Sequence, residues 1–189
     1  MKNIWFTSDH HFDHKNIIKF SNRPFNSVEE MDEELIKRWN EKVQPKDDVY
    51  HLGDIGLCPS GRLKEILDRL NGNIFLIRGN HDGAAESCKS RFEWIKDYYK
   101  LKVPDEAAQG KEQSLILLHY AMRVWDKSHW GAYHLYGHSH GELPDDINSL
   151  SFDVGVDCHN FYPISYQEVK QIMSKKTWNP PFQKGNRGE

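Results

Sequence analysis

Cysteine is scarce in this chain. Cys58, Cys88 and Cys158 lie far apart with no C-x-x-C spacing, which excludes a disulfide framework and a thiolate zinc site and predicts reduced thiols. Long apolar runs are missing as well. No stretch approaches the roughly 20 residues that span a bilayer, and Met1-Lys2-Asn3-Ile4-Trp5 lacks the apolar core of a signal peptide. A soluble, cytoplasmic protein with no membrane partner is expected. Excess positive charge is absent too: the formal net charge is -3, which gives no electrostatic footprint for a long nucleic acid. There is no internal repeat, low-complexity block or linker, and 189 residues suit one domain with a sizeable core. The expectation is a single domain over residues 1–178, with 179–189, which lacks periodicity, as a frayed tail.

Histidine, by contrast, is plentiful. There are eleven, nearly all clustered beside Asp, Asn or Gly, and such clustering points to metal. The clusters also follow apolar runs. Ile4-Trp5-Phe6-Thr7 reads as a buried strand and leads into Asp9-His10-His11-Phe12-Asp13-His14. Val28, Met31, Leu35, Trp39 and Val43 then mark one helical face, opened by a Ser27/Glu30 capping box. Val49-Tyr50-His51-Leu52 is the second strand and ends in Gly53-Asp54. Ser60 is placed to cap a helix carrying Leu63, Ile66, Leu67 and Leu70, stopped by Asn71-Gly72-Asn73. Ile74 to Ile77 is the third strand and ends in Arg78-Gly79-Asn80-His81-Asp82, where Gly79 is read as the residue that lets the chain reverse.

This β-α-β-α-β order predicts parallel strands with helical crossovers, and in such sheets ligands bind outside the carboxyl ends of the strands. Asp9, Asp54 and Asn80 fall there. Farther on, Phe92–Asp97 reads as helical, Tyr98–Val103 as a strand, Pro104–Glu112 as a loop and Leu115–Leu118 as a buried strand ending at His119. Tyr133–Tyr136 leads to Gly137-His138-Ser139-His140, and alternation from Phe152 to Asp157 predicts a half-buried strand. Ser165 and Glu168 form a second capping box before Val169, Ile172 and Met173.

Asp9 and His11, two apart in an extended segment, would share one side of the chain, and His138 and His140 repeat that spacing. Asp54 is placed to set a carboxylate between two ions. Seven O or N ligands, Asp9, His11, Asp54, Asn80, His119, His138 and His140, exceed the needs of one small ion and suit a pair. Two divalent ions about 3.5–4 Å apart acidify a shared water and hold the attacking and leaving oxygens of an in-line displacement, which is phosphoester hydrolysis chemistry. Mixed carboxylate, amide and imidazole ligands suit transition metals, with Mn favoured over Fe, Zn, Co or Ni. His81 remains to act on the phosphoryl or leaving group, with Asp82 to orient it. His10 and His51 alternate away from the ligands and read as packing or supporting groups. His14, Arg23, Arg123 and Trp125 are candidates for the substrate mouth.

Asp9-x-His11, Gly53-Asp54, Gly79-Asn80-His81-Asp82, His119 and Gly137-His138-Ser139-His140 together resemble the calcineurin-like metallophosphoesterase family, in the small bacterial and phage form. The resemblance implies an α/β fold, a four-layer α/β/β/α sandwich of two mixed sheets flanked by helices. It also implies a first metal on Asp9, His11, Asp54 and His140, a second on Asp54, Asn80, His119 and His138, and His81 as catalytic histidine. The expected activity is hydrolysis of a small phosphoester, a phosphodiester before a monoester and a nucleotide among the candidates, by a metal-bridging hydroxide. The rival expectation is a non-catalytic module that uses the fold as a protein-binding scaffold. A β-lactamase-like metal site would need an H-x-H-x-D-H run, which the sequence lacks.

Overall fold

The computed structural model describes residues 2–108, 111–178 and 180; apart from Pro180, the tail expected at 179–189 lies outside them. The elements in chain order are β1 (Ile4–Thr7), α1 (Ile17–Phe20), α2 (Val28–Lys42), β2 (Asp48–His51), α3 (Ser60–Leu67), β3 (Asn73–Ile77), β4 (Trp94–Lys96), β5 (Tyr98–Pro104), β6 (Glu112–Leu118), β7 (Tyr133–Tyr136), β8 (Ser151–Asp153), β9 (Ile164–Ser165) and α4 (Tyr166–Met173). They build two mixed sheets flanked by helices, as the motifs imply. One sheet has the order β4-β3-β2-β1-β9, with β1 to β4 parallel and β9 antiparallel to β1. The other has the order β5-β6-β7-β8, antiparallel at β5/β6 and parallel from β6 to β8.

Strand alternation divides the core in two. Trp5, Val49, Ile74 and Leu76 face the helices and pack with Met31, Leu35 and Trp39 of α2 and Leu63, Ile66 and Leu67 of α3. Phe6, Tyr50 and Ile77 face the second sheet and pack with Leu101, Leu115, Leu117, Leu135 and Phe152. Each large apolar side chain buried this way contributes about 1.5–3 kcal/mol. Tyr166, Val169 and Met173 of α4 join the inter-sheet core. Trp125, against the His134 ring, and the 3-10 turn Ser128–Trp130 follow β6. Among the described residues no helix is long and apolar enough to cross a membrane.

Several local expectations are corrected. The segment predicted as helix at Phe92–Asp97 is edge strand β4, because Trp94 pairs with Phe75 and stacks among Phe75 and Tyr99. Ser60 is the first residue of α3 rather than its cap, since Pro59 occupies the cap position and no side chain there accepts a bond. The Ser27 box is half made: Ser27 Oγ accepts from the Glu30 amide, but the Glu30 carboxylate reaches the Asn26 amide instead. The Ser165/Glu168 box forms in full. The strand expected through Asp157 stops at Asp153, whose carboxylate binds the Gly155 amide at 2.7 Å and turns the chain into a 3-10 turn, Val156–Cys158.

Candidate metal centre

Every ligand candidate sits just past a strand end: Asp9 after β1, Asp54 after β2, Asn80 after β3, His119 after β6, and His138 and His140 after β7. The loops after β1 and β2 run side by side, tied by Asp9 N to Gly53 O, His11 N to Asp54 O and Phe12 N to Ile55 O, each 3.0 Å. Alternation predicts an extended segment for Asp9 and His11, but neither residue is extended. Asp9, His11, Asp54, His138 and His140 all have φ between 48° and 69°, the left-handed region that costs a side-chain-bearing residue about 1–2 kcal/mol. Strain of this kind persists only where the surroundings over-determine it, and five of the seven ligand candidates carry it.

The side chains converge as two groups, Asp9, His11 and His140 in one and Asp54, His119 and His138 in the other, with donor atoms in each group within 4.8 Å of one another. Asp54 Oδ2 lies between the groups, 3.6 Å from His11 Nε2 and 3.5 Å from His119 Nε2. Asn80 Oδ1 is 3.2 Å from His119 Nε2 and accepts the Tyr120 hydroxyl at 3.3 Å, so Asn80 belongs with the second group.

The donor set fits cations. His119 Nδ1 donates to the Leu52 carbonyl at 2.7 Å, which leaves the Nε2 lone pair facing the oxygens of Asn80 and Asp54. In the first group the buried His11 Nε2 has no hydrogen-bond partner. Burial pushes the Asp9 carboxyl up to about 7 and drives His11 down to about 2. Burial also opposes ionised Asp54, but the His119 hydrogen bond and the His81 amide hold it down at about 2. Burial opposes charging His119 too, yet its bond to Asp54 and the Asp9 carboxylate pull it upward. Buried lone pairs and carboxylates that meet without enough donors are satisfied by a positive ion.

Two glycines make this convergence possible by having no side chain. Gly79 does not have a positive φ, so the reversal is not what requires it. A Cβ there would strike the carboxylate and amide of Asp54, and one on Gly137 would strike Ser8 and Asp9. The glycines therefore admit Asp54 and Asp9 to the centre.

Of the remaining candidates, His81 and His14 line the same cleft as the ligands. Their rings lie 5.4 Å (His81) and 5.3 Å (His14) from that of His11, and His14 Nδ1 is 3.3 Å from His11 Nδ1. Asp82 does not hold the His81 ring. Its buried carboxylate accepts the amides of Asp54 (2.9 Å), Ile55 (2.8 Å) and Gly79 (2.7 Å), which binds the β2 and β3 loops together. Arg23 does not line the mouth, because its side chain is buried and ion-paired to Asp157 at 2.8 Å. Arg123 and Trp125 line a different cleft, with Asp146 and Trp178, that shares no residue with the metal cleft. Trp125 is buried and donates to the Ala132 carbonyl at 2.8 Å. His10 and His51 pair at 2.9 Å in the core.

Three contributors escaped the sequence reading. Asp157 accepts from His140 Nδ1 at 2.7 Å, Asp153 binds the Gly155 and Gly141 amides, and Tyr120 stacks edge-on against His119 and His138. Asp153 and Asp157 stand in the alternating run after Phe152, and alternation carries no sign of their bonds to His140 and the glycine amides.

The sequence model of the calcineurin-like phosphoesterase family matches residues 2–186. Uncharacterized protein MJ1445 of Methanocaldococcus jannaschii is 34% identical over 182 residues, covering 93% of each chain. The Gene 66 protein of Mycobacterium phage L5 is 29% identical over 185 residues, covering 83% of this chain and 87% of its own. A crystal structure of AQ665, a protein of unknown function from Aquifex aeolicus, superposes with a TM-score of 0.67 over 91% of this chain and 100% of that one. At 21% identity that likeness concerns the fold alone.

Proposed function

We propose that this chain, which belongs to the calcineurin-like phosphoesterase family, is a two-metal phosphodiesterase acting on a small phosphoester, with Mn²⁺ favoured. The observation that carries the reading is the place of Asp54, whose Oδ2 lies within 3.6 Å of a histidine from each ligand group. One carboxylate shared by two groups serves a pair of ions, not one. Divalent ions bound there supply Lewis-acid charge and an acidified water for attack on phosphorus.

The chain's own residues do the rest. Asp9, His11 and His140 hold one side of the centre, and Asn80, His119 and His138 hold the other. The His81 amide donates to Asp54 Oδ1 at 2.8 Å, which fixes the start of that side chain while its ring faces the open cleft. From there His81 stabilises the phosphoryl oxygens or gives a proton to the departing alkoxide. The preference for a diester is supported by the cleft wall. Phe20 and Leu57, 74% and 43% exposed, flank the ligands in a cleft of about 530 Å³, and exposed apolar side chains beside a polar centre suit an organic group on the ester oxygen.

The test is a panel of monoesters, linear diesters and cyclic nucleotides assayed with Mn²⁺, Fe²⁺, Co²⁺, Ni²⁺ and Zn²⁺, alongside Asp54→Asn. Diester hydrolysis that requires metal and collapses in Asp54→Asn is expected. A metal-loaded protein that cleaves nothing in the panel would move the reading to the scaffold alternative.

A further inference from the structure

The two ligand groups are supported by different chemistry. In the second, His119 Nδ1 donates to a neutral backbone carbonyl, that of Leu52. In the first, His140 Nδ1 is 2.7 Å from Asp157 Oδ2. A carboxylate can only accept there, so the proton sits on Nδ1 and the Nε2 lone pair is turned toward Asp9 and His11. Behind Asp157 lies Arg23, whose side chain is fully buried. Arg23 Nε and Nη2 fork onto Asp157 Oδ1 and Oδ2, each at 2.8 Å. Nη2 also donates to the Asp9 carbonyl at 2.6 Å, and Nη1 to the His10 carbonyl at 2.8 Å and toward Met31 Sδ at 3.5 Å. All the guanidinium N–H groups are thereby used. One side chain grips the backbone of ligand Asp9 and, through Asp157, the ring of ligand His140.

We infer that Arg23 and Asp157 are positioning residues dedicated to the first metal group, and that they make it the tighter of two unequal sites. The inference rests on the two-metal reading above. A carboxylate partner raises the basicity of a ligating imidazole and fixes its orientation, and loss of such a partner costs 10–100-fold in metal affinity. A carbonyl partner gives less. Lysine cannot replace Arg23, because it has three donors on a point charge and no planar fork. The forked pair also holds the strained left-handed backbone at Asp9, where a misplaced carbonyl would swing the carboxylate out of the group.

Calorimetric titration with Mn²⁺ alone tests this. His138→Ala isolates the first group and His140→Ala the second. In the His138→Ala background, Asp157→Asn and Arg23→Lys are expected to weaken Mn²⁺ binding 10–100-fold. In the His140→Ala background Asp157→Asn should change it less than about threefold, because without His140 the carboxylate has no ligating imidazole left to support. Equal losses in both backgrounds, as general destabilisation would give, overturn the inference, and so does no loss in the first. Long-range ¹H–¹⁵N spectra of the metal-free wild type provide a readout independent of variant folding: His140 should carry its proton on Nδ1, and an Nε2–H tautomer overturns the inference. A wild type that binds no Mn²⁺ while keeping the Nδ1–H tautomer would instead count against the two-metal reading.

Discussion

Asp82 Oδ2 accepts the Asp54 amide at 2.9 Å and the Gly79 amide at 2.7 Å. The carboxylate that follows the catalytic candidate is thus bonded to the backbone of the residue shared by the two metal groups, and not to His81. Asp82→Asn should therefore act on the fold. Its amide can no longer accept all three N–H groups, and a buried unsatisfied donor costs about 1–3 kcal/mol. A fall of about that size in unfolding free energy, measured by denaturant melts in EDTA, is expected in wild type and in a His81→Ala background alike. A residue that only oriented His81 would have no effect once His81 was gone.

His81→Ala should separate chemistry from metal binding. Two Mn²⁺ ions should still bind with unchanged affinity, while kcat for the preferred phosphoester falls about 10²–10⁴-fold, the usual contribution of a positioned acid or base. Loss of Mn²⁺ in parallel with rate would instead make His81 a ligand.

Gly137→Ala should damage the centre without adding any polar group. A Cβ there meets Ser8 and the Asp9 carboxylate, and overpacking of a tight site costs about 1–3 kcal/mol. Weaker Mn²⁺ binding together with a lower melting temperature is expected. An unchanged variant would show that the β1 and β7 loops approach less closely than described.

Phe20→Ala should report on the ester group. The ring is exposed beside the ligands, so KM for a diester of an aromatic alcohol should rise about tenfold, as loss of roughly 1.4 kcal/mol of contact implies, while Mn²⁺ affinity stays fixed. Equal KM values would remove Phe20 from the substrate's path.

His134, away from the ligands, gives a pH signature. Its Nδ1 donates to the Ile116 carbonyl at 3.0 Å and its Nε2 accepts the Met122 amide at 3.1 Å, so it folds neutral. Burial lowers it from 6.5 to about 4. Between those values the unfolded chain binds a proton that the native state refuses. The contribution, about 3 kcal/mol at full extent, is therefore present above pH 6.5 and lost as pH falls toward 4. NMR titration should find His134 neutral at pH 5, and a mid-point near 6.5 would refute the assignment.

The sequence by itself determined the parallel strands β1, β2 and β3, the long helix α2 and the seven ligand candidates, because runs of strand-forming residues, helical spacing and ligand residue types are local and repeat on short periods. It also marked His10 and His51 as packing or supporting groups. What it left undecided were roles set by partners distant in the chain. Asp82 and Asp54 are 28 apart, Arg23 and Asp157 are 134 apart, and neither pairing has a local pattern. Adjacency suggested that Asp82 serves His81, but three amides converging from two loops claimed its carboxylate. A lone arginine near a ligand loop suggested a hand for phosphate, but burial required each of its N–H groups to find an acceptor, and those lay on the backbone of Asp9 and His10, on Met31 and on Asp157. Gly79 reads as a turn residue, whereas the tertiary structure needs it, and Gly137 with it, for the space beside them, which only the meeting of separate loops defines.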